Sequence, residues 1–204
     1  MKKIGILDYE VGNLKSIINA MDYCGFNYVI SSNSKDFSSC DRMIIPGVGA
    51  FGMGMSNMKR LGLPHFLQAS FKSQIPMLGI CLGYQLFCAS SSEFGHCDGL
   101  EIIPTVVRKL NAPIVPHVGW SKLNDVSSEM KNTIYKGIDH LSFYFVHTFA
   151  VAETEPLKKV ATTTQYYEDQ FLSSVKLGNF FGVQFHPEKS SEQGLTLLKN
   201  FYDY

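Results

Sequence analysis

Hydrophobic positions along this chain change period about half-way. Lys3-Ile4-Gly5-Ile6-Leu7 is a short apolar run of the kind that forms a buried strand. Leu14, Ile17, Ile18 and Met21 then recur at i, i+3, i+4 and i+7, the stripe of an amphipathic helix. Asn13 is placed to cap that helix and Gly25 to end it. Tyr28-Val29-Ile30 and Met43-Ile44-Ile45 read as further strands, and residues 53–60 and 64–72 as two short helices. Pro76-Met77-Leu78-Gly79-Ile80 is another buried strand, followed by a helical pattern over 84–88. Strands that alternate with helices in this way imply a parallel sheet covered on both faces.

The second half reads as strands in succession: 106–110, 117–120, 143–149, 160–164, 171–177 and 180–185. Several can pair antiparallel across turns such as Leu177-Gly178-Asn179. A last helix begins near Ser190 with a Ser190-x-x-Gln193 capping box, and Leu195, Leu198 and Phe201 are set to face the sheet. Residues 124–136 form the most polar stretch and read as a surface excursion. With no repeat and no Pro/Ser-rich linker, the pattern predicts one α/β domain over 1–204. Its sheet is mostly parallel and flavodoxin-like, with antiparallel strands added in the C-terminal half.

Composition narrows the classes. The 204 residues are 45% hydrophobic and 18% charged, enough apolar surface for a sizeable core. Net charge is zero and no basic block occurs, which argues against nucleic acid and against a membrane surface. The longest uncharged run, Met43 to Met58, carries Pro46 and four glycines, so it is not a membrane-spanning helix. Five cysteines, an odd number without a C-x-x-C, point to a reducing cytoplasm rather than to disulfides or zinc. No metal site is expected.

Gly79-Ile80-Cys81-Leu82-Gly83 is the cysteine form of the G-x-S-x-G elbow, in which a nucleophile sits on a sharp turn between a strand and a helix. The glycines permit the turn, and a helix N-terminus favours a thiolate there. The same pentapeptide also suits a buried structural cysteine. A cysteine nucleophile needs a base, and the base needs an orienter. In Phe185-His186-Pro187-Glu188 the proline biases His186 towards extended chain, where Glu188 points to the same side. An ordinary surface H-x-E is the alternative. If the pair meets Cys81, the chemistry is acyl transfer through a tetrahedral oxyanion. The N–H of Leu82 is the usual elbow donor, and the loop Gly47-Val48-Gly49 can supply a second. His117 and His147 read as hydrogen-bonded structural residues, and Trp120 as core or interface packing.

Gly79-Ile80-Cys81-Leu82-Gly83-Tyr84-Gln85 and His186-Pro187-Glu188 resemble the signatures of class I, triad-type glutamine amidotransferases. Pro46 to Phe51, Pro116 to Trp120, Phe143 to His147 and Gly182 to Ser191 extend the resemblance, in order, to the branch that serves imidazole glycerol phosphate synthase. The resemblance implies hydrolysis of L-glutamine to glutamate and ammonia without a cofactor. Cys81 would be the nucleophile, His186 the general base and acid, and Glu188 its orienter. Val48, Gly49 and Leu82 would lie near the oxyanion and Gln85 near the glutamine. The implied partner is a (β/α)8 synthase subunit of the HisF type, forming a heterodimer, with Asn13, Tyr144 and Lys189 towards it. Two positions depart from that branch: Glu10 stands where glycine is usual, and Ser121 where asparagine is usual. A paralogue supplying ammonia for amidination of a bacterial surface sugar stays open, as does a stand-alone cysteine γ-glutamyl hydrolase.

Overall fold

The computed structural model describes residues 2–12 and 14–204. Asn13, expected both as a helix cap and on the partner side, lies outside them. The first half alternates as the periodicity predicts: β1 (Ile4–Leu7), α1 (Leu14–Cys24), β2 (Tyr28–Ser31), β3 (Arg42–Ile45), α2 (Phe51–Arg60), α3 (Leu63–Lys72) and β4 (Met77–Ile80). Every residue of β1, β3 and β4 is buried, as parallel strands covered on both faces must be. Alternation along β3 sends Met43 and Ile45 to one face, with α2 and α3, and Ile44 to the other, with α1.

After β4 come α4 (Leu82–Gln85), β5 (Cys88–Ser91), β6 (Cys97–Asp98), β7 (Ile103–Lys109), β8 (His117–Lys122), α5 (Ser128–Lys131), β9 (Ser142–His147), β10 (Phe149–Val151), β11 (Ala161–Tyr166), β12 (Asp169–Leu177), β13 (Phe180–Val183) and α6 (Ser191–Asp203). The main sheet runs β2-β1-β3-β4-β13-β12-β10-β7-β5-β6, with β11 beside β12. From β2 to β13 the neighbours are parallel, and β12 and β10 are antiparallel additions. The Leu177-Gly178-Asn179 turn joins β12 to β13 as expected, with Gly178 at φ 54°. Leu197, Leu198 and Phe201 of α6 pack against the sheet, whereas Leu195 is only half-buried.

Four local expectations change. The helix expected over 84–88 is a single turn, and Cys88 is a buried core residue of a strand. The run 143–149 is two strands: β9 pairs only with β8 in a separate ribbon, while β10 joins the main sheet. The capping box at Ser190 is not made. Its hydroxyl instead donates to the His186 carbonyl at 2.6 Å and accepts the Tyr144 N–H at 3.0 Å. The stretch 124–136 is polar on one side only, since Met130, Ile134 and Tyr135 are buried and the Tyr135 hydroxyl donates to Ser174 Oγ at 2.7 Å.

The turn after β4 lies hard against β3. A β-carbon on Gly83 would stand 1.8 Å from the Ile45 carbonyl oxygen, whereas one on Gly52 would meet nothing within 4 Å. Gly83→Ala is therefore expected to destabilise the fold by about 3 kcal/mol, the upper end of ordinary overpacking. Gly52→Ala, on the open side of α2, is expected to stabilise by about 0.5–1 kcal/mol through helix propensity. Urea unfolding of the two variants measures both; equal midpoints would contradict this packing.

Candidate active site

Cys81 sits between β4 and α4 with φ 52° and ψ −110°. Such a conformation costs a β-carbon-bearing residue about 1–3 kcal/mol and persists only when its surroundings impose it. Here the Cys81 N–H donates to the Val183 carbonyl at 2.8 Å, and its own carbonyl accepts the N–H groups of Tyr84 and Gln85 at 3.0 Å. Gly79 lets the turn fold back closely: a β-carbon there would lie 2.9 Å from the Gly83 carbonyl oxygen. The elbow expected from the pentapeptide is present, at the carboxyl end of a central parallel strand, where open sheets place their ligands.

His186 follows β13, the parallel neighbour of β4, and its N–H donates to the Tyr144 carbonyl at 2.9 Å. The chain after it is not extended. Pro187–Lys189 is a tight 3-10 turn that brings Glu188 back, so that Nδ1 donates to Glu188 Oε1 at 2.8 Å. Both side chains are almost fully buried. Burial opposes a charge on the imidazole. The Cys81 sulfur, through its charge and a hydrogen-bonding contact, and then the Glu188 carboxylate outweigh it, and the His186 pKa is pushed up to about 10. Nε2 nonetheless makes no hydrogen bond of ordinary geometry.

A cavity of about 400 Å³ opens over the sulfur. Val48, Gly49, Leu82, Gln85 and Lys189, all singled out in the sequence, line it together with Cys81. Tyr144 does not line it; its ring lies edge-on to the half-exposed Trp120, with centroids 6.4 Å apart. The expected anion donors are not yet presented. Leu82 N–H donates to the Gly47 carbonyl at 3.3 Å, and Val48 N lies against Gly12, where an added β-carbon would stand only 2.9 Å away. Glu10 has φ 62°, a conformation easier for glycine, and its exposed carboxylate pairs with Arg60.

Residues 5–203 match the family described as glutamine amidotransferase class-I. The chain belongs to that family. It is 40% identical over 203 residues to the imidazole glycerol phosphate synthase subunit HisH of Moorella thermoacetica, covering 98% of this chain and 94% of that one. It is 40% identical over 202 residues to the HisH subunit of Chlorobaculum tepidum, covering 98% of each. Among solved structures, PurLQS from Thermotoga maritima superposes with a TM-score of 0.76 at 15% identity, covering 100% of this chain and 98% of that one. A structure of a glutamine amidotransferase gives a TM-score of 0.73 at 15% identity, covering 98% and 97%. These two likenesses bear on the fold, and the fold agrees.

Around the amidotransferase cavity lie residues to which the sequence reading gave no part in the site. Glu93 lines it and caps α2, with Oε2 accepting the Phe51 N–H at 2.7 Å. No motif marked Glu93, because it arrives on a turn between two strands absent from the periodicity. His147, Thr148 and Phe149 form a wall where β9 ends and β10 begins. Gln184 donates to Cys81 Sγ at 3.6 Å and accepts from Gln85 Nε2 at 2.9 Å. Period-two alternation puts Gln184 on the same side as His186, so the strand reading contained that signal.

Cys81 and Glu188 both favour the imidazolium, so Cys81→Ala and Glu188→Ala are each expected to lower the His186 pKa. An NMR titration of the imidazole in the two variants measures the shifts. An unchanged pKa in both would refute this account of the charge.

Proposed function

We propose that this chain is the glutaminase subunit of an imidazole glycerol phosphate synthase and works through a Cys81–His186–Glu188 triad. The observation that carries the reading is the Cys81 sulfur beside an imidazole whose far nitrogen is braced by a buried carboxylate at 2.8 Å. Glutamine enters the cavity with its side-chain amide at Cys81. Glu93 offers a carboxylate to the substrate's ammonium group, and Gln85 lines the path of the side chain. The thiolate forms a bond to the amide carbon, and the carbonyl electrons move to oxygen. The imidazolium of His186 gives its proton to the leaving nitrogen, ammonia departs and a thioester remains. Neutral His186 then takes a proton from water, hydroxide adds to the thioester, and collapse expels the thiolate with glutamate as product.

Each oxyanion needs N–H donors. In this reading the Gly47–Val48 peptide turns over, which frees Leu82 N–H and aims Val48 N–H at the anion beside Gly49. Losing one such donor typically costs about 3 kcal/mol, so glutamine turnover is slow until the loop turns. A (β/α)8 subunit of the HisF type, docked over Tyr144, Lys189 and the exposed Trp120, is the natural trigger. It receives the ammonia and forms imidazole glycerol phosphate and AICAR. Near-complete coverage of the HisH relatives supports this acceptor over a surface-sugar precursor. The single domain, the heterodimer and the cytoplasmic setting belong to the same reading.

Cys81→Ala is expected to abolish ammonia release from glutamine, while synthesis from added ammonium with a HisF-type subunit continues. Wild-type glutamine hydrolysis by the alanine variant would end the proposal. An unperturbed imidazole would put a fall in rate at about pH 6–7. With His186 raised to about 10, the imidazolium persists through neutrality, and the rate instead falls on the alkaline side as that proton is lost. A pH profile whose alkaline limb lies near neutrality would contradict the ion-pair mechanism.

A further inference from the structure

Two buried histidines belong to none of the steps above, yet an unbroken series of hydrogen bonds joins them to the nucleophile. Ser121 Oγ lies 2.9 Å from His117 Nε2, and His117 Nδ1 lies 3.1 Å from His147 Nε2. His147 Nδ1 lies 2.9 Å from the Phe149 carbonyl, which also accepts from Gln85 Nε2 at 2.8 Å. Gln85 Nε2 reaches Gln184 Oε1 at 2.9 Å, and Gln184 Nε2 reaches Cys81 Sγ at 3.6 Å.

The carbonyl fixes every proton in this series. It can only accept, so His147 donates through Nδ1. A neutral His147 then accepts at Nε2, so His117 donates through Nδ1 and accepts at Nε2 from the Ser121 hydroxyl. Burial keeps both rings neutral, with pKa values lowered to about 4 for His117 and about 3 for His147. Packing holds the ring planes. His117 stacks on Tyr166 with centroids 4.0 Å apart, and His147 meets Phe171 edge-on at 4.9 Å.

We infer that Ser121, His117 and His147 are positioning residues that hold the Phe149 carbonyl, and through it the Gln85 and Gln184 amides, in register with the Cys81 sulfur. The series starts on the β8–β9 ribbon, which shares no ladder with the main sheet among the described residues and meets β11 only through the Asn124–Thr163 bridge beyond β8, and it ends at the elbow on β4. It crosses from ribbon to sheet at Thr148, and the Phe149 carbonyl it reaches belongs to β10, which pairs with β7 at Lys109. If His117 cannot donate, His147 keeps an unpaired acceptor in a dry interior at a cost of about 1–3 kcal/mol. Turning the ring towards another partner relieves that cost and gives up the bond to Phe149. The departure at Ser121 fits this account, since a hydroxyl supplies the donor that His117 Nε2 requires.

The inference rests on Cys81 being the reactive thiol of the proposed function, and its test separates the two. The second-order rate of Cys81 alkylation by iodoacetamide at pH 7 is followed by the mass of the Cys81 peptide, alongside ammonia release from glutamine. Gln184→Leu removes the donor to the sulfur and is expected to slow alkylation about tenfold, a loss equivalent to one hydrogen bond to a charged group. His117→Phe keeps the stacking but not the donor, and is expected to slow it about three- to fivefold. His117→Asn, whose amide nitrogen replaces Nδ1, is expected to restore the rate to within about twofold, which a purely structural role would not produce. Should His117→Phe fail to fold, Ser121→Ala on the ribbon gives the same direction at about twofold. Folded Gln184→Leu and His117→Phe proteins that alkylate at the wild-type rate would overturn the relay and leave the glutaminase reading intact. A wild-type protein that releases no ammonia, with or without a HisF-type subunit, would overturn that reading instead while the alkylation series still reports on the relay.

Discussion

One backbone turn sets the terms for the rest of this molecule. Cys81 is held at positive φ because Gly79 and Gly83 let the chain fold back within contact of itself and of the Ile45 carbonyl. Neither glycine tolerates a side chain, and the conformation between them persists only because β3 and β13 clamp it from both sides. The parallel sheet is therefore more than a scaffold. Its two strands flanking β4 hold the strain that lifts the sulfur into the cavity, and one of them leads directly to His186.

Charge then does what the turn alone cannot. A buried imidazole would ordinarily be driven neutral, as His117 and His147 are. His186 goes the other way because the sulfur and the Glu188 carboxylate lie on either side of its ring. Three histidines in one half of the molecule thus have opposite electrostatic fates, decided by whether an anion is within reach. The neutral pair suits fixed hydrogen bonding, and the raised one suits proton transfer. The loop that would complete an anion site is closed on itself, with Leu82 N–H spent on Gly47.

The identity of the elbow, the H-x-E pair and the glycine loop was legible because each needs particular residue types at short spacing. The alternation of β1 to β4 with helices was legible for the same reason, since burial on both faces leaves continuous apolar runs. What failed was short-range inference across a change of partner. Residues 143–149 form one apolar run, but the chain leaves one sheet for another at Thr148, and nothing local records that. The helical spacing of Tyr84, Phe87 and Cys88 was overridden because β5 has a strand to pair with in β7. Ser190 has the right neighbours for a capping box but finds better partners in His186 and Tyr144.

By itself the sequence determined the local chemistry: a cysteine on a glycine hinge, a histidine two residues from a carboxylate, and an apolar pattern that forces a covered parallel sheet. These follow from sterics and burial within a few residues, and the chain carries them wherever it folds. The tertiary structure alone decided which groups share an environment. It curled Pro187–Lys189 so that Glu188 could reach the imidazole, brought Glu93 to the cavity and Gln184 to the Cys81 sulfur, and linked Ser121 to that sulfur through two neutral rings. Hydrogen bonds and charges act over a few ångströms of space, and distance along the chain has no bearing on them.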